Sequence, residues 1–209
     1  MSYSLLNNEH LPEGIYLGMG SIDHSQEVLQ VLEDEEIVEY ESIKSDNRKN
    51  EFLSSRHLIR GLAAKFGLLE NDFRIRKDDL GKPYGETGDK HFFLSIAHSA
   101  HYVLCGLSET MDIGIDLEPA DRKVHEGLKS RIFHTEEKDD IRSLKLIQVW
   151  TLKEALVKLH GGGLRTNLNE LRLQKMSESE YTTIFNDDKS ARICSFKHNE
   201  HWVSVAYYQ

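Results

Sequence analysis

The sequence predicts an α+β protein made of two similar halves. Two long runs carry apolar residues at helical spacing, short β-rich runs lie between and after them, and the chain carries an internal echo. In the echo, one helix stops at Gly67-Leu68 and leads into NDFRIRK, while another stops at Gly163-Leu164 and leads into LNELRLQK. In both, an Arg stands between two apolar residues just after the glycine. The halves are expected to meet between Ser108 and Asp112, giving units of residues 1–108 and 109–209.

The elements follow in order. Gly14 to Ser21 reads as a first strand, and the acidic run Glu33 to Glu41 starts a helix. From Asp46 to Phe66 a longer helix is expected, because Phe52, Leu58, Ile59, Leu62, Ala63 and Phe66 recur on one face and Gly67 can end it. Phe73 to Lys77 alternates as a short strand, and DDLGKPYGETGD reads as a turn-rich loop. His91 to Ser95, Tyr102 to Leu107 and Ile113 to Leu117 are β-rich. A polar helical stretch is expected from about Thr135, and a second strong helix over Ile147 to His160, closed by Gly161 to Gly163. Ala191 to Phe196 and Trp202 to Tyr208 read as a closing hairpin.

Composition narrows the class. Among 209 residues, 39% are hydrophobic and 29% charged, which suits a folded domain and not a disordered tail. The net charge of −9 argues against nucleic-acid binding over the whole surface, and leaves room for a local basic pocket. Two cysteines, Cys105 and Cys194, sit in apolar runs and read as buried free thiols, too few for a disulfide framework. The opening MSYSLLNNEHLPEG lacks a basic region before an apolar core, and no apolar run approaches the roughly 20 residues that span a bilayer. A reducing, cytoplasmic setting is expected.

Five segments carry candidate chemistry. In DIGIDLE, strand period puts Ile113, Ile115 and Leu117 on one face and Gly114, Asp116 and Glu118 on the other. Two carboxylates beside a glycine suit a hard divalent cation such as Mg²⁺; a solvated acidic strand face has the same pattern. In WTLKEALVK, Glu154 and Lys158 are one helical turn apart, as a metal ligand or base and a phosphate contact, or as a plain surface pair. His98 in LSIAHS lies just past a strand, where it could donate to a phosphate. Arg56 and Arg60, with Arg48 and Lys49 upstream, form a candidate anion-binding helix face. Gly81-Lys82-Pro83-Tyr84 offers a cation for a phosphate and a ring for a base. Together they supply carboxylates for a metal and cations for phosphates, with no nucleophilic triad, which suits phosphoryl or diphosphate chemistry.

The order GKPY, FLSIAHS, GIDLE, FHTEE and WTLKEALVK with a following GGL resembles the 4′-phosphopantetheinyl transferases, of the longer, surfactin-synthetase-activating type. The collinear motifs run from about Arg48 to Leu164. The resemblance implies an intramolecular pseudo-dimer of the two α+β halves, with coenzyme A and Mg²⁺ at their junction; oxygen ligands would also accept Mn²⁺. It implies transfer of the 4′-phosphopantetheine arm from coenzyme A to a serine of an apo acyl or peptidyl carrier protein, releasing 3′,5′-ADP, by a monomer needing neither nucleic acid nor membrane.

By position in those motifs, the resemblance makes Asp116, Glu118 and Glu154 the metal ligands, and Glu154 also the base for the incoming serine. Lys158 would contact the diphosphate. Arg56, Lys82 and His98 would hold the phosphates, with Pro83, Tyr84 and Ala97 beside the nucleotide. Glu137 in FHTEE would stand near the metal or base, and any of Lys44, Arg48 and Lys49 would serve the 3′-phosphate. Val124 to Ile132 is the candidate carrier-docking segment. Ala97 departs from the family's usual N-x-S-H-S and removes a hydroxyl, which motivates a second reading as a non-catalytic coenzyme A or carrier-protein binding homologue. A third is a metal-dependent phosphohydrolase.

Overall fold

The long amphipathic helix from Asp46 onward decides the first half of the chain. In the computed structural model, which describes residues 2–7, 9–24, 32–68, 72–161, 166–185 and 189–209, it runs Asp46–Ala63 (α2) and tightens into a 3₁₀ turn over Ala64–Phe66. Leu58, Ile59, Leu62 and Ala63 are its buried stripe. The acidic helix before it, Asp34–Ser42 (α1), starts with Glu36 reaching back to the Glu33 N–H.

The stripe of α2 lies on a six-stranded antiparallel sheet. Its strands are Tyr3–Leu6 (β1), Ile15–Ser21 (β2), Arg74–Lys77 (β3), Pro83–Thr87 (β4), Lys90–His98 (β5) and Tyr102–Ser108 (β6), in spatial order β1-β2-β6-β5-β4-β3. A second, five-stranded antiparallel sheet holds Ile113–Pro119 (β7), Gln174–Lys175 (β8), Glu180–Ile184 (β9), Ser190–His198 (β10) and His201–Tyr208 (β11), in order β7-β11-β10-β9-β8. Between β7 and β8 lie two single-turn helices, Lys129–Ile132 (α3) and Asp139–Arg142 (α4), and the long helix Leu146–His160 (α5).

Three cores follow from strand alternation. Val103, Cys105 and Leu107 of β6 face α2, with Phe92 and Leu94 of β5. The opposite faces of both sheets meet each other: Leu17, Met19, Ala97 and Leu104 pack on Ile115, Leu117, Val203 and Val205. The far side of the second sheet carries α5, through Leu152, Leu156 and Leu159 against Tyr181, Ile193 and Ala206. The layers are helix, sheet, sheet, helix. Among the described residues the same element order occurs twice: a strand, a long helix, then a four-strand meander whose last strand pairs with the first. It runs β2, α2, β3 to β6 and again β7, α5, β8 to β11.

Several expectations change. The segment read as a loop contains β4, with Pro83 at its first position, where a missing N–H is tolerated; pairing with β3 and β5 overrides the turn chemistry. β1, β8 and β9 are short strands whose sequences carry little alternation, and only their neighbours define them. The polar helix expected from Thr135 shrinks to the single turn α4. The closing hairpin turns at Asn199 and Glu200, both at positive φ (44° and 59°), a type I′ geometry that matches strand twist. Cys105 and Cys194 are buried free thiols, and burial pushes the Cys194 thiol up to about 12. Of the glycines after α5, Gly161 at φ 76° caps it; Gly162, Gly163 and Leu164 lie outside the described residues.

Candidate functional site

β7 and α5 build the acidic side of the site. Ile113, Ile115 and Leu117 are buried at 0–1% exposure, as alternation requires. The opposite face is not solvated, because α5 lies on it. Gly114 permits that approach: a Cβ there would sit 2.1 Å from the Ala155 carbonyl oxygen and 2.3 Å from the Leu159 nitrogen. The contact brings Asp116, Glu118, Glu154 and Lys158 into one electrostatic group.

Within that group, Lys158 Nζ donates to Asp116 Oδ1 at 2.8 Å. Asp116 Oδ2 is buried and has no hydrogen-bond partner among the described residues. Glu118 pairs with Arg122, also one helical-turn spacing away in sequence. Burial first, then Asp116 and Glu118, push the Glu154 carboxyl above its ordinary range, against Lys158. Burial also raises Glu118, with Arg122 opposing and Asp116 adding. Two carboxyls with raised proton affinity, Glu118 and Glu154, beside Asp116 with its orphaned oxygen, are a donor set that a cation would relieve. As drawn, the described residues hold no group of three His, Cys, Asp or Glu close enough to enclose a metal ion; Lys158 and Arg122 occupy two of the carboxylates instead.

Beside this group opens a cavity of about 600 Å³, lined from α2, β5, the 80–83 segment and the end of α5. Arg56, Lys82, Pro83, His98 and Lys158 all border it, as does Arg48. Their present partners are specific. Arg56 is buried, with Nε 2.8 Å from Glu36 Oε1, and Arg60 Nη2 donates to Glu36 Oε2 at 2.6 Å. Lys82 Nζ donates to Asp112 Oδ1 at 2.6 Å and to the Leu159 carbonyl at 2.7 Å. Arg48 Nη1 lies 3.1 Å from His98 Nε2. Burial lowers the His98 imidazole, Glu51 opposes, and Arg48 and Lys158 lower it further. We therefore assign the neutral ring, with Nε2 accepting from Arg48.

Other expected residues stand differently from their expected positions. His98 is the last residue of β5 and not a loop residue. Tyr84 does not border the cavity, because strand alternation sends Pro83 and Tyr84 to opposite faces of β4; its ring lies 6.1 Å from that of His91. Ala97 is 2% exposed in the core between the sheets, so its methyl faces away from the cavity, and a hydroxyl missing there is no argument against catalysis. Glu137 is not beside the carboxylate group. It is buried, accepts from the His134 and Leu173 N–H groups, and pairs with Lys153 at 2.7 Å. Lys153 thus points away from its neighbour Glu154, into the interior, and also donates to the Ile132 carbonyl. Burial holds its ammonium below the ordinary range, against Glu137.

Glu36, Glu39 and Asp112 were not among the residues the motifs single out, yet they hold the basic groups of the site. Asp112 opens the DIGIDLE segment, and that adjacency was the one available signal. The acidic helix α1 offered none, since its partners are 17 or more residues distant in sequence and meet it only in the fold.

Residues 112–206 match the 4′-phosphopantetheinyl transferase superfamily model. The chain is 27% identical over 195 residues to slr0495 of Synechocystis sp., covering 85% of this chain and 79% of that protein. It is 27% identical to the 4′-phosphopantetheinyl transferase HetI of Nostoc sp. (71% of this chain, 67% of that protein). With the 4′-phosphopantetheinyl transferase Sfp of Bacillus subtilis it shares 25% identity (64% of this chain, 62% of that protein). The match begins at Asp112, next to the start of the second sheet and the carboxylate strand, and by it and these relatives the chain is similar to the 4′-phosphopantetheinyl transferase superfamily.

Proposed function

We propose that the protein transfers the 4′-phosphopantetheine arm of coenzyme A to a serine hydroxyl of an apo carrier protein, releasing 3′,5′-ADP with the help of Mg²⁺. The observation that carries this is the meeting of Asp116, Glu118 and Glu154 around Lys158, which itself borders a cavity also lined by Arg56, Lys82 and His98. The repeated element order supports reading residues 1–108 and 109–209 as two halves of a pseudo-dimer with the site at their junction.

Asp116, Glu118 and Glu154 would hold the cation; the Asp116 Oδ2, without a partner among the described residues, and the raised Glu118 and Glu154 carboxyls suit it. A divalent ion there would neutralise diphosphate charge and polarise the phosphorus–oxygen bond. The chain's own residues do the rest. Lys158 sits where it can leave Asp116 and offset negative charge growing on the departing nucleotide. Glu154, with no hydrogen bond to a described residue and a raised affinity for protons, is the base for the serine hydroxyl, directly or through water. Arg48 and Arg56 contribute positive charge along the cavity, and a phosphate drawn to His98 would favour its imidazolium form. Lys82, held between Asp112 and the end of α5, joins the two halves while bordering the cavity.

The test is mass spectrometry of a panel of apo carrier proteins incubated with the enzyme, coenzyme A and Mg²⁺. Gain of the phosphopantetheine mass on one serine is expected. Coenzyme A binding without any mass gain across the panel would favour a binding homologue, and release of 3′,5′-ADP without an acceptor would favour a phosphohydrolase.

A further inference from the structure

The cavity contains a carboxylate of its own where its cations gather. Three acidic residues of α1 face basic groups from α2 and β3. Glu36 is buried and clasps Arg56 and Arg60, whose side chains are 5% and 2% exposed, so this contact is fixed by the packing. Glu35 pairs with Arg76 at 2.6 Å on the outside and does not border the cavity. Glu39 differs from both. It borders the cavity, is 37% exposed at its side chain, pairs with Lys77, and lies 3.9 Å from Arg56 Nη2.

Charge counting shows what Glu39 does. Arg56, Arg60 and Lys77 bring three positive charges to this wall, and Glu36 and Glu39 return two negative ones. With Glu39 in place the wall is +1; without its charge it is +2. Of the two carboxylates only Glu39 is free to move, because an exposed ion pair contributes little and exchanges readily, whereas Glu36 is locked.

We infer that Glu39 is an affinity-setting residue that competes with a phosphate group of the bound ligand for Lys77 and Arg56. In the free protein it holds Lys77 against the cavity wall. On binding, a phosphate oxygen takes its place, and the carboxylate swings out into water. The site thereby keeps two like charges apart only by moving one of them, which lowers affinity and favours release of a phosphorylated product. The inference rests on reading the cavity as the coenzyme A site.

Calorimetric titration of coenzyme A into three proteins tests it: wild type, Glu39→Gln and Glu35→Gln. Both variants remove one charge from the same helix, but only Glu39 borders the cavity. Glu39→Gln is expected to bind coenzyme A about three- to tenfold more tightly than wild type at low salt, with the gap closing as salt rises. Glu35→Gln is expected to match wild type. Equal or weaker binding by Glu39→Gln overturns the inference and leaves the site reading intact. An equal gain in both variants also overturns it, since net charge would then explain the effect. Absence of coenzyme A binding in all three overturns the site reading, and the inference with it.

Discussion

Glu154 stands among like charges with its proton affinity raised by burial and by Asp116 and Glu118. A carboxyl held above its ordinary range costs the folded protein nothing in acid, where it is protonated folded or unfolded. The penalty appears as pH rises past the ordinary carboxyl range and is complete above the raised value. Glu154→Gln is therefore expected to raise Tm at neutral pH, with the gain vanishing at acid pH, as thermal unfolding across pH would show. The same variant is expected to lower transfer by about 10²-fold or more, as loss of a positioned base does. Asp116→Ala removes the partner of Lys158 and, under the proposed function, a cation donor at once. A loss of transfer of at least about 10²–10³-fold is expected in the carrier mass assay, with circular dichroism unchanged. The residues themselves were legible as a set: Asp116, Glu118, Glu154 and Lys158 stand in two short motifs. Their present partners were not, because Lys158 to Asp116 spans 42 positions and Lys82 to Leu159 spans 77.

At the level of elements, the contact of β7 with α5 is the one on which the site depends. Gly114 has no room for a methyl group, since the obstacle is α5 backbone and not a flexible side chain. Gly114→Ala is expected to cost about 3 kcal/mol or more of stability and to reduce transfer, because the helix that carries Glu154 and Lys158 must shift. Chemical denaturation together with the transfer assay checks both. Helical spacing in the sequence located α2 and α5 to within a few residues, since each has a continuous apolar stripe. It could not find β4, where Pro83 and Gly85 mask a strand that exists because β3 and β5 pair with it. Nor could it place Lys153, which is in the same motif as Glu154 but points inward to Glu137 from 16 residues earlier.

For the whole molecule, the question is what holds the end of α5 against the first half. Lys82 answers it with two bonds, one to Asp112 in the connection between the sheets and one to the last turn of α5. Lys82→Met leaves the Asp112 carboxylate and the Leu159 carbonyl without this donor, and a loss of about 1–3 kcal/mol is expected in thermal unfolding. If Lys82 served only as a phosphate contact, stability would be unchanged and only coenzyme A affinity would fall. No helix among the described residues is long and apolar enough to cross a membrane.

The sequence by itself determined the α+β class, the two long helices, the closing hairpin and the motif residues, because periodicity and short-range spacing are local properties of a chain. Only the tertiary structure decided that the acidic face of β7 is covered by α5, that Glu137 and Lys153 are a buried pair, that Tyr84 and Ala97 face away from the cavity, and that α1 supplies the counter-charges of its cations. Each of those depends on which distant segment arrives opposite, and burial and pairing energies are set by that arrival and not by the neighbours along the chain.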